Sequence, residues 1–144
     1  MQLEHAVEAD VSLEFAWRYL TDIANWNDPP AQFTIDGPFK EGVTRTTLLP
    51  GQEPFHWRIR EVQPGKFLAQ EMQLDRATLS FEWSFDELPQ NRTKLSQRII
   101  LAGDNAGAYS EQVEAAFRPN LPAGMQRLAS QMAAAEKRCA GEAL

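Results

Sequence analysis

From Thr78 to Leu88 the chain reads TLSFEWSFDEL. Leu79, Phe81, Trp83 and Phe85 are apolar, while Thr78, Ser80, Glu82, Ser84 and Asp86 are polar. A period of two predicts a strand with one buried and one wet face. The same period marks LEHAVEA, with Leu3, His5, Val7 and Ala9 on one side, and predicts a strand over 2–9. It returns in QFTIDGPF (32–39), VTRTTLL (43–49), FHWRIREV (55–62), FLAQEMQL (67–74) and TKLSQRIILA (93–102). The connections are short. QPGK at 63–66 has proline and glycine at the central positions of a type II turn, and a four-residue turn spans Pro89 to Arg92. Strands in succession joined by short turns predict an antiparallel meander.

Two regions follow a helical period instead. After the first strand, Ser12 is placed to cap a helix with Glu14 in its first turn. Its apolar stripe is Leu13, Ala16, Trp17 and Leu20. Asp22 is a second cap, opening a short helix through Ile23 and Trp26 that Asn27, Asp28, Pro29 and Pro30 end. Beyond the loop at 103–107, Tyr109, Val113, Ala116 and Phe117 have helical spacing. Asn120 is then placed to recap the chain, and Pro122 is tolerated in a first turn. Leu121, Met125, Leu128, Met132 and Ala135 trace one face of a long amphipathic helix, which Pro119 and Pro122 separate from the segment before.

A meander with one apolar face needs a cover, and that helix alone has the length. The expected architecture is α+β: a strongly curved antiparallel sheet of about six or seven strands wrapped around the C-terminal helix. Two short helices follow the first strand. Such a grip seals poorly at its ends, leaving an apolar hollow between sheet and helix.

Composition narrows the chemistry. The 144 residues are read as one domain, 1–144, with 43% hydrophobic and 24% charged residues, as in folded soluble proteins. A net charge of −6 without any run of lysine or arginine argues against a nucleic-acid partner. No apolar run is long enough for a membrane span, and MQLEHAVEAD does not resemble a secretory leader, so a cytoplasmic location is expected. Cys139 is the lone cysteine and His5 and His56 the only histidines, so neither a disulfide nor a His/Cys zinc set is expected. Nucleotide-binding glycine motifs are absent. No metal and no cofactor are expected.

The element order resembles a known superfamily. So do VEADVSLEFAWRYLTDIANWNDPP, IDGPFKEGVTRT, IREVQPGKF, ATLSFEWSFDEL, TKLSQRIILAG and NLPAGMQRLA. The superfamily is SRPBCC, the START-like, birch-pollen-allergen-like helix-grip proteins, and the likeness is closest to its bacterial polyketide cyclase/dehydrase branch. It covers nearly the whole chain. Its local marks are the D-x-x-x-W-N of Asp22 to Asn27 and the GPF-x-x-G of Gly37 to Gly42. It implies that the first helices support the C-terminal one, that Trp26 and the prolines lie near a cavity mouth, and that the first and last strands are neighbours. It does not by itself assign a function.

Candidate ligand contacts are polar residues in an apolar strand phase, because burying one without a partner costs about 1–3 kcal/mol. His5, Gln70 and Gln97 qualify, and the implied topology would set His5 beside Gln97. The plain alternative is that they pair with each other or with backbone, or lie at a wet strand end. Trp26, Trp57, Ile59, Met72, Phe81, Trp83, Ile99, Met125, Leu128 and Met132 are the candidate walls. A solidly packed core would show the same pattern. Arg45 stands among threonines and its phase is ambiguous. It is expected to be exposed, although an inward Arg45 would hold a ligand carboxylate. His56, Arg58, Arg60 and Glu71 are expected on the wet face.

Three functions remain open. The first is binding of a hydrophobic or aromatic small molecule, lipid- or polyketide-like. The second is a cyclase or dehydratase using metal-free acid/base chemistry, for which His5 is the candidate acid or base and no catalytic motif is identified. The third is a protein-interaction module. The sequence leaves the oligomeric state, a homodimer included, open.

Overall fold

A computed structural model describes residues 1–26 and 29–142, with side chains through 140. Seven strands form one antiparallel sheet: β1 (Gln2–Ala9), β2 (Gln32–Ile35), β3 (Thr44–Leu48), β4 (Phe55–Gln63), β5 (Phe67–Leu74), β6 (Ala77–Leu88) and β7 (Arg92–Ala102). Their spatial order is β1-β7-β6-β5-β4-β3-β2. The meander therefore runs backwards from β7 to β2, and β1 closes against the last strand. Three helices accompany it: α1 (Leu13–Leu20), α2 (Ser110–Phe117) and α3 (Leu121–Glu142). Sheet and helices make the helix-grip α+β arrangement expected from the sequence.

The local reasons are those visible in the chain. Ser12 Oγ accepts the Phe15 N–H and caps α1. Its own N–H and hydroxyl donate to Glu136 of α3, at 3.3 and 3.0 Å, which pins the start of α1 to the far half of α3. Asp22 caps its segment through the Ala24 N–H, but only a single 3-10 turn follows, Ile23–Asn25, in place of a second short helix. Gly65 has φ of +74°, and the Lys66 N–H reaches the Gln63 carbonyl at 2.9 Å, closing the type II turn between β4 and β5. β2 ends at Ile35, four residues short of Phe39, where Gly37 and Pro38 take the chain out of the ladder. Asn120 stands at the N-cap position of α3, its backbone carbonyl accepting the Gly124 N–H, but its side-chain amide donates back to the Ala116 carbonyl. Asn27 and Asp28, read as part of the helix stop, lie outside the described residues.

The convex face of the sheet is held by ion pairs across neighbouring strands. Arg58 meets Glu71, Arg60 and Arg98 both meet Glu82, and Arg98 also approaches Glu4. The concave face packs as two apolar clusters. One joins Ile59, Leu68, Trp83, Phe85 and Leu95 to Ala16 and Leu20 of α1 and to Met125, Ala129 and Met132 of α3. The other joins Leu3, Trp57, Leu79, Ile99 and Leu101 to Val113 of α2. Among the described residues no helix is long and apolar enough to cross a membrane.

After β7 the chain passes tightly behind the β5–β6 turn. Gly103 has φ of +120°, and a Cβ there would lie 2.7 Å from the Arg76 carbonyl oxygen and 2.8 Å from Ala77 Cα. Backbone cannot give way as a side-chain tip can. Gly103→Ala is expected to cost about 2–4 kcal/mol in urea unfolding. Gly107→Ala, with open space around its Cβ, is expected to cost far less.

Candidate functional site

A cavity of about 370 Å³ opens between the concave face and α3, within the roughly 300–1,000 Å³ usual for small-molecule sites. Its floor comes from alternate residues of neighbouring strands. Phe81 and Trp83 of β6 lie opposite Gln70 and Leu68 of β5 on one side and Ile99 and Gln97 of β7 on the other. α3 supplies the opposite wall through Leu121, Gly124, Met125 and Leu128, and Phe117 of α2 closes one end. Leu20, Asn25 and Trp26 come from α1 and the turn after it. Asn120, Arg127 and Gln131 complete the lining.

The charged feature is Arg45. Its phase in the sequence is ambiguous and an exposed side chain is expected, yet Arg45 is 3% exposed and lines the cavity. The correction has a simple cause. Arg45 is in register with Trp57 of β4 and Ile35 of β2, so it shares their inward face. Threonines on both sides gave no local sign of this.

Arg45 Nε donates to Gln70 Oε1 at 2.7 Å, and Nη1 donates to Thr47 Oγ1 at 2.8 Å. The guanidinium carbon lies 4.8 Å from the Trp26 ring centre, 5.2 Å from Trp57 and 5.8 Å from Phe33. Such cation–π contacts are worth up to about 2 kcal/mol when water is excluded. Among the described residues no carboxylate lies within ion-pair distance of it. Burial therefore pushes the guanidinium pKa down from the ordinary arginine value to about 10.

The sign of this shift matters. From about pH 10 up to the ordinary arginine value the unfolded chain holds the proton more tightly, so stability rises with pH there. At neutral pH the burial penalty is fully present, of the order of 3 kcal/mol.

The predicted residues divide. Trp26, Gln70, Phe81, Trp83, Gln97, Ile99, Met125 and Leu128 line the cavity. His5, Trp57, Ile59, Met72 and Met132 do not. Ile59 and Met132 are fully buried in the cluster around Trp83, where sheet and α3 pack without a gap. Trp57 stacks on Phe81 at 4.8 Å and so stands behind the wall, with its Nε1 unpartnered among the described residues. Met72 packs, half-buried, against the same cluster as Trp57. His5 is directly opposite Gln97, as the implied strand order required, but β1 is the edge strand and carries the imidazole beyond the cavity wall.

Leu20, Asn25, Phe33, Phe117, Asn120, Leu121, Gly124, Arg127 and Gln131 were missed as lining, and Arg45 was placed there only as the alternative to an exposed side chain. Phe33, Phe117 and Leu121 carried an apolar phase that could have suggested them. Nothing local distinguished Asn25, Asn120 or Gln131 from other surface amides.

The chain belongs to the family described as polyketide cyclase/dehydrase and lipid transport, whose model matches residues 1–133. Among solved structures it is similar to protein NE0264 from Nitrosomonas europaea, at 13% identity over 95% of this chain and 97% of that one, with a TM-score of 0.73. It is also similar to norcoclaurine synthase from Thalictrum flavum in complex with a transition-state analogue, at 12% identity over 95% and 96%, with a TM-score of 0.73. The Zhui aromatase/cyclase from Streptomyces sp. R1128 aligns at 22% identity over 92% and 93%, with a TM-score of 0.64. Likenesses this remote establish the fold. No curated protein matches the chain by sequence. Family membership supports a ligand-binding or cyclase-type role.

Among the described residues Arg45 has no counter-charge, and the cost of burying it is one that an apolar pair can relieve. Arg45→Met alone would orphan Gln70 Oε1, so the informative variant is Arg45→Met with Gln70→Met. Urea unfolding at pH 7 is expected to show the double variant about 1–3 kcal/mol more stable than the parent. A less stable double variant would make the guanidinium a net structural asset instead.

Proposed function

We propose that this protein binds a small molecule with a hydrophobic or aromatic body in the cavity between the sheet and α3. The observation that carries the reading is a hollow of about 370 Å³ with walls of Phe81, Trp83, Ile99, Phe117, Met125 and Leu128. Only a few polar groups, Arg45, Gln70 and Gln97 among them, stand along the inward strand faces. Apolar walls supply affinity through burial at about 25 cal/mol per Å², and sparse polar groups set orientation.

Acid/base cyclisation is supported less well. A proton-transfer group must reach the substrate directly or through one water. Among the described residues the lining holds no carboxylate, imidazole, thiol, amine or phenol. His5, the candidate acid or base, is off the wall. The lining suits holding a molecule better than moving its protons.

Gly124 bears on the same reading. Glycine inside a helix costs about 1 kcal/mol relative to alanine, yet Gly124 lines the cavity, and a Cβ there would meet only the flexible tip of Arg127, at 3.7 Å. The residue gives up helix stability and leaves room. Gly124→Leu should fill that room without strain. With 2-naphthamide as a neutral probe, followed by quenching of tryptophan fluorescence, the variant is expected to bind at least about tenfold more weakly while unfolding at no lower urea concentration. Equal binding by parent and variant would remove the cavity from consideration. Native mass spectrometry with organic extraction of retained compounds would then test the interaction-module alternative, which expects a stoichiometric protein partner.

A further inference from the structure

The protein carries a net charge of −6, yet the only ionisable side chains lining the cavity among the described residues are two cations, Arg45 and Arg127. Arg127 is exposed, where water solvates its charge at little cost. Arg45 is not: it is buried, ringed by the faces of Trp26, Trp57 and Phe33, and without an anion among the described residues.

A guanidinium has five N–H groups. Gln70 and Thr47 take two of them, one on Nε and one on Nη1. The remaining three, five less two, sit on Nη1 and Nη2. The neighbourhood is short of acceptors rather than donors, since the buried Trp57 Nε1 also finds no protein partner among the described residues. Gln70 and Thr47 meanwhile hold the guanidinium in one orientation at the cavity wall, as a built anchor requires.

Resting on the binding reading above, we propose that the ligand is an apolar-bodied monoanion whose carboxylate docks on the Nη1 and Nη2 groups of Arg45. A carboxylate fits the planar donor fork by two parallel hydrogen bonds. Its charge supplies the missing counter-ion, and its hydrocarbon or aromatic body lies along Phe81, Trp83, Met125 and Leu128. Stability is lost in the empty protein and regained on binding, so the anchor acts through ligand rather than through the fold. Arg127 at the same cavity adds attraction for anions despite the acidic surface elsewhere.

The test compares 2-naphthoate with 2-naphthamide, matched in shape and differing in charge, by isothermal titration calorimetry at pH 7. The parent protein is expected to bind the acid at least about tenfold more tightly than the amide. Arg45→Met with Gln70→Met is expected to lose that preference, binding acid and amide alike. Two failures are separable. If both probes bind equally and the double variant changes neither, the anchor is overturned while the cavity reading stands. If neither probe binds the parent, the cavity reading falls, and the anchor with it. Repeating the titrations in chloride and in gluconate separates a carboxylate site from a general halide trap: an unchanged preference is expected, and its abolition by chloride would overturn the assignment. Asp28→Asn addresses a counter-charge from within the chain. Unchanged stability is expected. A loss of stability that vanishes when Arg45 is also replaced would supply the anion internally and overturn the proposal.

Discussion

The curved sheet meets its helices through two separate apolar clusters, and the cavity lies in the interval between them. Around Trp83, Phe85 and Leu95 the sheet closes on α1 and α3 with fully buried side chains. Around Leu79, Ile99 and Leu101 it closes on Val113 of α2. A straight helix cannot follow a twisted sheet along its whole length, so contact made at one end is not maintained continuously to the other. The cavity occupies that discontinuity: Trp83, Leu20 and Met125 reach it from one cluster, Ile99 and Phe81 from the other. Packing to native density would have required larger side chains, and at Gly124 there is none.

The break between α2 and α3 serves the same geometry. Pro119 and Pro122 separate two helices that cover different parts of the sheet, and Asn120 between them reaches the cavity lining. At the other end of the molecule, Glu136 receives both polar hydrogens of Ser12, so α1 and α3 are tied at the end where the core is tight. Leu20, at the end of α1, and Asn25 and Trp26, in the turn beyond it, then reach the cavity. The Trp26 indole N–H is bonded to the Leu20 carbonyl at 2.9 Å, which fixes the ring edge-on to Phe33 and over the Arg45 guanidinium. One short stretch thus supplies wall and rim and lays the Trp26 ring over the cation.

Electrostatically the protein separates its charges by face. Acidic and basic side chains on the convex surface neutralise one another across strands, where exposure makes each pair worth little. Inside, Arg45 has aromatic faces and neutral acceptors, with no carboxylate among the described residues. The same residue type therefore has opposite consequences on the two sides of one sheet. Arg58, facing out, is screened and nearly free of cost, whereas Arg45, facing in, carries a desolvation penalty that lowers its pKa.

Much of this was legible in the chain because side-chain alternation is a local property. The strict period of β6 fixed which of its residues face inward, and the same logic found Gln70 and Gln97, polar groups in an apolar phase that do line the cavity. Ser12, Asp22 and the QPGK turn announced their own geometry through caps and a glycine. Arg45 could not be read in this way. Its strand has no apolar phase of its own, and only pairing with Trp57 across the 49–54 connection turns it inward. Nor does sequence separate wall from filling. Met125 and Met132 share one helical stripe, yet one borders the cavity and the other is sealed in the core, because sheet and helix diverge between them. Periodicity determines which face of an element is apolar. What that face meets, whether another side chain, a buried charge or open space, depends on register and curvature summed over strands distant in sequence, and only the assembled fold decides it.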